Sequence, residues 1–468
     1  MSHKEEEMAI IAGFMVPHPP MIVPDIGKGS EEQIWETTEA YERVADEIAA
    51  LRPETIIITS PHSVMYADYF HISPGEGAEG SFARFRAPQV RFSETYDTEL
   101  ADEICRRCDE EDFPAGTLGE KDSSLDHGTM VPLYFIRKRY NGGKIIRVGL
   151  SGQPLIDHYR LGMIIRDAVN STGRRAVFIA SGDLSHKLQE YGSYGFAPEG
   201  PEYDRYIMDV MGRADFGETL EFDSTFCDKA AECGHRSFVI MAGAFDGMAV
   251  SAERLSHQDI TGVGYGICTF YPEGEDESRH FLDVHMERLE EEMQAKREQS
   301  DAYVRLARKS VESYVLRRER ISVPEDLPEE MLNRTAGAFV SIHEHGELRG
   351  CIGTIAPTKS SVAEEIIANA ISASTRDPRF PAITADELPW LEISVDVLGE
   401  PEDIDSEEQL DVKRYGVIVS SGNKRGLLLP DLDGIDTPEQ QVGIAMRKGG
   451  IRRDENYKLQ RFEVIRHH

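Results

Sequence analysis

Short apolar runs recur through the first 270 residues, each long enough for one strand and too short for a buried helix. They are AIIAGFMV (9–16), TIIITS (55–60), KIIRVGL (144–150) and RAVFIAS (175–181), with GVGYGICTFY (262–271) as a closing strand. Near-continuous runs of this kind belong to strands covered on both faces. Amphipathic stretches lie between them, such as EEQIWETTEAYERVADEIAAL (31–51) and YDTELADEICRRCDEE (96–111). Strands alternating with helices predict an α/β layered domain around a central, largely buried sheet.

Three of these strands deliver a histidine into the loop that comes after. His18 sits in VPHPP (16–20), a proline-walled corner; His62 follows TIIITSP; His186 ends VFIASGDLSH. In open α/β sheets, ligand sites gather beyond the carboxyl ends of strands. His127, in DHGTMVPLYF, starts a helical run that can face the same crevice. The segment AECGHRSFVIMAGAF adds Glu232, Cys233 and His235 at the head of another helical run. Two imidazoles and one anionic ligand hold a divalent transition metal and leave positions open for substrate. One such histidine alone is more often a half-buried polar loop residue. Three recurring after strands favour a metal site.

The 468 residues carry a net charge of −33, with 40% apolar and 29% charged residues. That is the profile of a globular chain of two to four domains. The acidic balance argues against nucleic acid and against an anionic membrane surface, because both require a basic footprint. The start, MSHKEEEM, has no apolar signal region, and no run reaches the length of a membrane span. Six cysteines in a chain this long do not make a disulfide framework, so a cytoplasmic setting is expected.

A polar stretch, YPEGEDESRH (271–280), marks a domain boundary. One long charged helix is expected over 283–318, its first half bridging the domains. The remaining residues have a different texture. AGAFVSIHEHGELRGCIGTI (336–355) reads as a β-hairpin, SSVAEEIIANAISAST (360–375) as a Ser-capped helix, and YGVIVSSGNKRGLLL as a second hairpin turning at GNKRG. This is an α+β domain. Within it Arg349 and Cys351 lie two apart on a strand and share a face. A guanidinium beside a thiol raises its thiolate fraction, and His343 or His345 can serve as base. A buried core cysteine is the commoner state. TRDPRFP offers Arg376 and Arg379 around Asp377, either an anion clamp or a salt-bridged loop.

Some motifs carry little. CRRC (105–108) lies late in a charged helix with no second pair nearby, GVGYG (262–266) lacks the glycine pattern and helix of a dinucleotide site, and His467 and His468 are read as solvated.

The carriers PHPP, SPHS, DHGTMVPL, SGDLSH and ECGHRSFVIMAGA together resemble the LigB-like family of class III extradiol ring-cleavage dioxygenases and the related Memo family, over residues 8–272. LRGCIGTI, TRDPRFPAI, LEISVDVLGEP and RGLLLP resemble an AMMECR-type domain over 299–468, after a linker and helical bridge at 273–298. The domain order resembles the AmmeMemoRadiSam system protein A family, which implies a functional link to a Memo protein and a radical SAM enzyme. In the dioxygenases two histidines and a glutamate hold Fe(II). The resemblance places His18 and His62 as ligands, His186 as acid/base and His127 as a substrate contact. The third ligand departs from that pattern: Cys233 aligns there, as in Memo, with Glu232 beside it. A cysteine ligand favours Zn or Cu, or a differently tuned iron.

The expectation is therefore a metal-dependent oxidoreductase acting on a small chelating or phenolic molecule, with Fe(II) as the leading metal. Two alternatives stand beside it. One is a metal-binding adaptor with a relict site that works through its AMMECR-type domain; the other is a zinc hydrolase using the same ligands.

Overall fold

The computed structural model describes residues 9–121, 124–344, 346–432 and 434–468. The chain forms two compact units, one ending at Met286 and one beginning at Glu287, so the division falls inside the helix Phe281–Gln299.

The first unit is built on a six-stranded sheet. Its order across the sheet is Lys144–Gly149, Thr55–Ser60, Ala176–Ser181, Ile10–Val16, Tyr265–Glu275, Met248–Gln258. The first four are parallel, and Tyr265–Glu275 pairs antiparallel with both Ile10–Val16 and Met248–Gln258. The apolar runs explain the layers. Along TIIITS, Ile56 and Ile58 pack into one core while Ile57 packs into the other. The helices Trp35–Leu51 and His127–Arg139 cover one face; Thr98–Glu110, Leu155–Thr172, Glu199–Arg213 and His235–Ala244 cover the other. This is the α/β layered domain expected, with both sheet faces buried.

Two elements were not legible in the apolar pattern. The strand Met248–Gln258 is a partly exposed edge, and the hairpin Gly77–Phe82 with Ala87–Thr95 is half exposed and rich in glycine and polar residues. Neither needs a continuous apolar run, because only one face of each is covered.

The second unit is an antiparallel sheet in the order Glu347–Gly353, Ala338–Glu344, Leu391–Leu398, Lys458–His467, Tyr415–Ser421, Lys424–Leu428. Val362–Thr375 and Ala302–Arg317 pack on it through Ile366, Ala370, Val304 and Ala307. Both expected hairpins form, turning at Gly346 (φ 81°) and Gly422 (φ 56°), left-handed conformations that glycine adopts without strain. The single helix expected over 283–318 is instead two, Phe281–Gln299 and Ala302–Arg317. Asp301 is the reason: its carboxylate accepts the backbone N–H of Tyr303 and Val304 at 2.9 and 3.1 Å and starts a new helix. Among the described residues, no helix is long and apolar enough to cross a membrane.

His158, on Leu155–Thr172, is fully buried, and burial lowers its pKa to about 3. The unfolded chain takes up that proton near pH 6.5, whereas the folded chain does not. The stability from neutral His158 is thus present above about 6.5 and lost as pH falls towards 3, at about 1.4 kcal/mol per pH unit. Urea unfolding of wild type and His158→Asn between pH 7 and 4.5 should show a slope shallower by about one proton in the variant. Equal slopes would assign the acid sensitivity elsewhere.

Candidate metal centre

The strands Thr55–Ser60, Ala176–Ser181 and Ile10–Val16 are neighbours and run parallel, with Val16 level with Ser181 and Thr59 level with Ala180. The loops after all three therefore leave the sheet at one place. That topology brings His62, His186 and His18 together although they are far apart in sequence.

His18 is buried, and its surroundings fix its ring. Its backbone N–H donates to Asp183 Oδ1 at 2.7 Å. Its Nδ1 lies 2.9 Å from Ser181 Oγ, and the Ser181 hydroxyl donates to the Gly128 carbonyl at 2.6 Å. A hydroxyl has one proton, so Ser181 accepts from His18 Nδ1–H. The proton is then on Nδ1 and the lone pair on Nε2. That lone pair faces His62 Nε2 at 3.1 Å and Cys233 Sγ at 3.6 Å.

His62 is set by the turn after its strand. Its N–H donates to Ser60 Oγ at 3.2 Å, and Ser60 donates to Asp126 Oδ1 at 2.6 Å. Asp126 in turn caps the helix that begins at His127, accepting from Thr129 N. Gly128 faces Ser60 so closely that a Cβ there would lie 2.3 Å from Ser60 Oγ. The result stacks the His127 ring on His62, centroids 4.0 Å apart.

Cys233 arrives by a backbone contact. A Cβ on Gly182 would lie 2.0 Å from Gly234 Cα, so the loop after Ala176–Ser181 and the turn before His235–Ala244 meet only through two glycines. The Asp183 carbonyl accepts from Cys233 N and Gly234 N at 3.4 and 3.1 Å. Asp183 N–H points at Cys233 Sγ, 3.4 Å away.

Ligand atoms of His18, His62 and Cys233 all lie within 4.8 Å of one another, as do those of Asp183, His186 and Cys233. Glu232 is in neither group: its carboxylate turns back to accept from His235 N at 2.6 Å, and burial pushes its pKa up to about 7. His235 also turns away, towards the Thr219 carbonyl and the Tyr203 hydroxyl. His186 packs against Tyr194, and its Nε2 is buried with no hydrogen-bond partner among the described residues.

The electrostatics suit neutral donors. Burial, then the His62 charge, hold His18 down to about 3; burial, then His62 and His18, hold His127 to about 3 as well. His62 and His186 are lowered by burial. Asp183 is raised to about 6 by burial, and burial raises the Cys233 thiol well above its ordinary value. Only a cation would reverse the cost of a thiolate there. The donor set fits one: nitrogens 3.1 Å apart and a sulfur at 3.6 Å lie within the span allowed by metal bonds of about 2.1 and 2.3 Å. Beside the cluster a cavity of about 920 Å³ is lined by His62, His127, Asp126, Arg84, Arg91 and Arg147.

The other sequence candidates fall elsewhere. Arg349 pairs with Glu387 at 2.5 Å and donates to the Pro381 carbonyl. The cation at Cys351 is Arg379, which holds Asp377 at 2.7 Å and reaches the Cys351 carbonyl, while Asp377 accepts from Cys351 N. His343 lines one cavity with Cys351; His345 lies outside the described residues. Cys105 and Cys108 sit in a helix, both raised by burial, Cys108 to about 12. His467 is not free in solvent: it stacks on Tyr303 at 3.7 Å and meets Asp301.

Asp183, Ser181 and Asp126 were missed as parts of the site. Each stands inside a motif already singled out, next to a strand end or helix start, which is the signal that could have found them.

Comparison with known proteins agrees with this division. Residues 12–268 match the family of the catalytic LigB subunit of aromatic ring-opening dioxygenase, and residues 304–467 match AMMECR1. A protein of Clostridium acetobutylicum is 40% identical over 98% of this chain and 99% of its own length. A Thermotoga maritima protein is 48% identical over 35% of this chain and 96% of its own. The crystal structure of an uncharacterised protein from Pyrococcus horikoshii, 32% identical, covers 36% of this chain and 90% of its own, with a TM-score of 0.34.

Zn(II) affinity by chelator competition should fall about 100-fold or more in Cys233→Ala, beyond the usual cost of losing an outer partner, and change little in Glu232→Gln. The reverse order would make Glu232 the anionic ligand.

Proposed function

The chain belongs to the LigB family of aromatic ring-opening dioxygenase subunits, joined to an AMMECR1 domain, and on that premise we propose that its first unit is a metal-dependent oxidoreductase for a small chelating or phenolic substrate. The observation that carries this reading is the meeting of the His18 and His62 nitrogens and the Cys233 sulfur, with His62 also lining a 920 Å³ cavity. His18, His62 and Cys233 would hold the metal, with Fe(II) as the leading candidate. When bound, such a metal supplies Lewis acidity and, if it is iron, the one-electron chemistry that dioxygen requires.

The protein's own groups do the rest. The cavity walls bring Arg84 and Arg91 towards a substrate, and neither guanidinium has a carboxylate partner among the described residues. They favour a phenolate or a carboxylate-bearing ring. His127, neutral and stacked on His62, presents a flat face on which such a ring can lie. His186, with an orphaned Nε2 and a neutral ring, takes a proton from the substrate hydroxyl and returns it later. Asp183 stabilises the imidazolium formed meanwhile, since its charge raises the His186 pKa.

A second reading, hydrolysis with zinc, is favoured by the sulfur in the donor set, because thiolates suit zinc.

Protein loaded with Fe(II) without oxygen should then consume O₂ when given a catechol. His186→Gln should keep its metal and lose about 10²–10⁴-fold in rate. His62→Ala should lose both metal and uptake. Iron-loaded wild type that consumes no O₂ across a catechol panel would contradict the oxidoreductase reading, and ester hydrolysis by the zinc form would support the second.

A further inference from the structure

The second unit has a cavity of its own, of about 920 Å³. Its sheet explains why it is polar. Val340, Ile342, Val395 and Val397 are buried against the helices. Ser341, His343, Glu392, Ser394 and Asp396 line the cavity, in alternation with them.

The charges on its wall do not cancel. Each side-chain carboxylate there has a cation: Glu392 holds Lys296 at 2.8 Å, Asp396 holds Arg466 at 2.8 Å, and Asp431 holds Lys413 at 3.1 Å. Two guanidiniums there, Arg297 and Arg308, have no carboxylate at hydrogen-bond distance among the described residues. Arg297 donates to the Leu388 and Pro389 carbonyls, and Arg308 to the Leu391 carbonyl at 2.6 Å. The Glu312 carboxylate stands off, 3.9 Å from Arg308. The Nε of both arginines is buried and has no partner among the described residues. They are neighbours: after burial, the Arg297 charge is the largest cause that lowers the Arg308 pKa, with Glu312 and Glu392 opposing it more weakly.

A basic residue in the last turn of a helix is ordinary, and Arg297 alone would need no further account. A second, half-buried arginine beside it does. The chain has 84 acidic residues against 51 Lys and Arg, yet these two guanidiniums repel one another with donors unspent. Their fork of N–H groups matches an oxyanion, which would meet both the charge and the orphaned donors.

We propose that this cavity binds a small ligand through an oxyanion, a phosphate ester or a carboxylate, held by Arg297 and Arg308. All the residues that line it belong to the second unit. Cys351 lines the same cavity, its Sγ accepting from Ser341 Oγ at 3.2 Å, so the bound ligand shares the space with a thiol.

The test is calorimetric titration of the full chain at low ionic strength, with inorganic phosphate in one arm and malonate in the other. Saturable binding of one or both to wild type is expected, and the stronger arm names the oxyanion. Arg297→Gln and Arg308→Gln should each weaken it by about 10- to 100-fold, the worth of a charged hydrogen bond. Arg349→Gln, which breaks the Glu387 pair without touching the clamp, should leave the affinity unchanged even where it lowers thermal stability. No saturable binding in either arm would overturn the proposal. So would equal affinities in wild type and both clamp variants.

Discussion

One residue ties the candidate centre together. Asp183 follows the central strand Ala176–Ser181 and bonds in two directions. Its carboxylate accepts the His18 backbone N–H, fixing the loop that leaves the neighbouring strand. Its carbonyl accepts the N–H groups of Cys233 and Gly234, fixing the turn that opens His235–Ala244. The second bond goes with the Gly182–Gly234 approach, which leaves no room for a side chain on either residue. Three parallel strands bring the histidines to one place, and Asp183 sets the sulfur against them. Burial lowers the pKa of every imidazole in the cluster. Neutral imidazoles and a thiol that only a cation can deprotonate form a site whose missing charge is positive.

Much of this was legible in the residues. Strands read clearly where both faces are buried, because TIIITS or AVFIAS leaves no polar position that could face water. His18, His62 and His186 were visible because each follows such a run. Other parts were not legible. Whether Cys233 or Glu232 faces the cluster depends on a turn whose direction is set by Gly182 and Gly234, which lie far apart in sequence. The tautomer of His18 depends on Gly128 accepting from Ser181, a contact that no local pattern encodes. The break at Asp301 hides in a run of good helix formers, and only the cap bonds show it. The Gly77–Thr95 hairpin, which supplies Arg84 and Arg91, is half exposed and carries no apolar signature.

The two units solve the burial of polar groups in opposite ways. In the first, burial strips the charge from histidines and assembles donors for a cation. In the second, it leaves two neighbouring guanidiniums each with an orphaned Nε. Both arrangements cost stability, since buried donors and acceptors without partners go uncompensated. In a chain with so many acids, cavity-wall arginines with no carboxylate at hydrogen-bond distance among the described residues are informative because partners were plentiful.

The proposed ligands His18, His62 and Cys233 would together bind one metal. X-ray absorption at the metal edge of the singly loaded protein reads those ligands directly. One sulfur at about 2.3 Å with two imidazole nitrogens at about 2.1 Å is expected, with loss of the sulfur shell in Cys233→Ser. A shell of oxygen and nitrogen alone in the wild-type protein would contradict it.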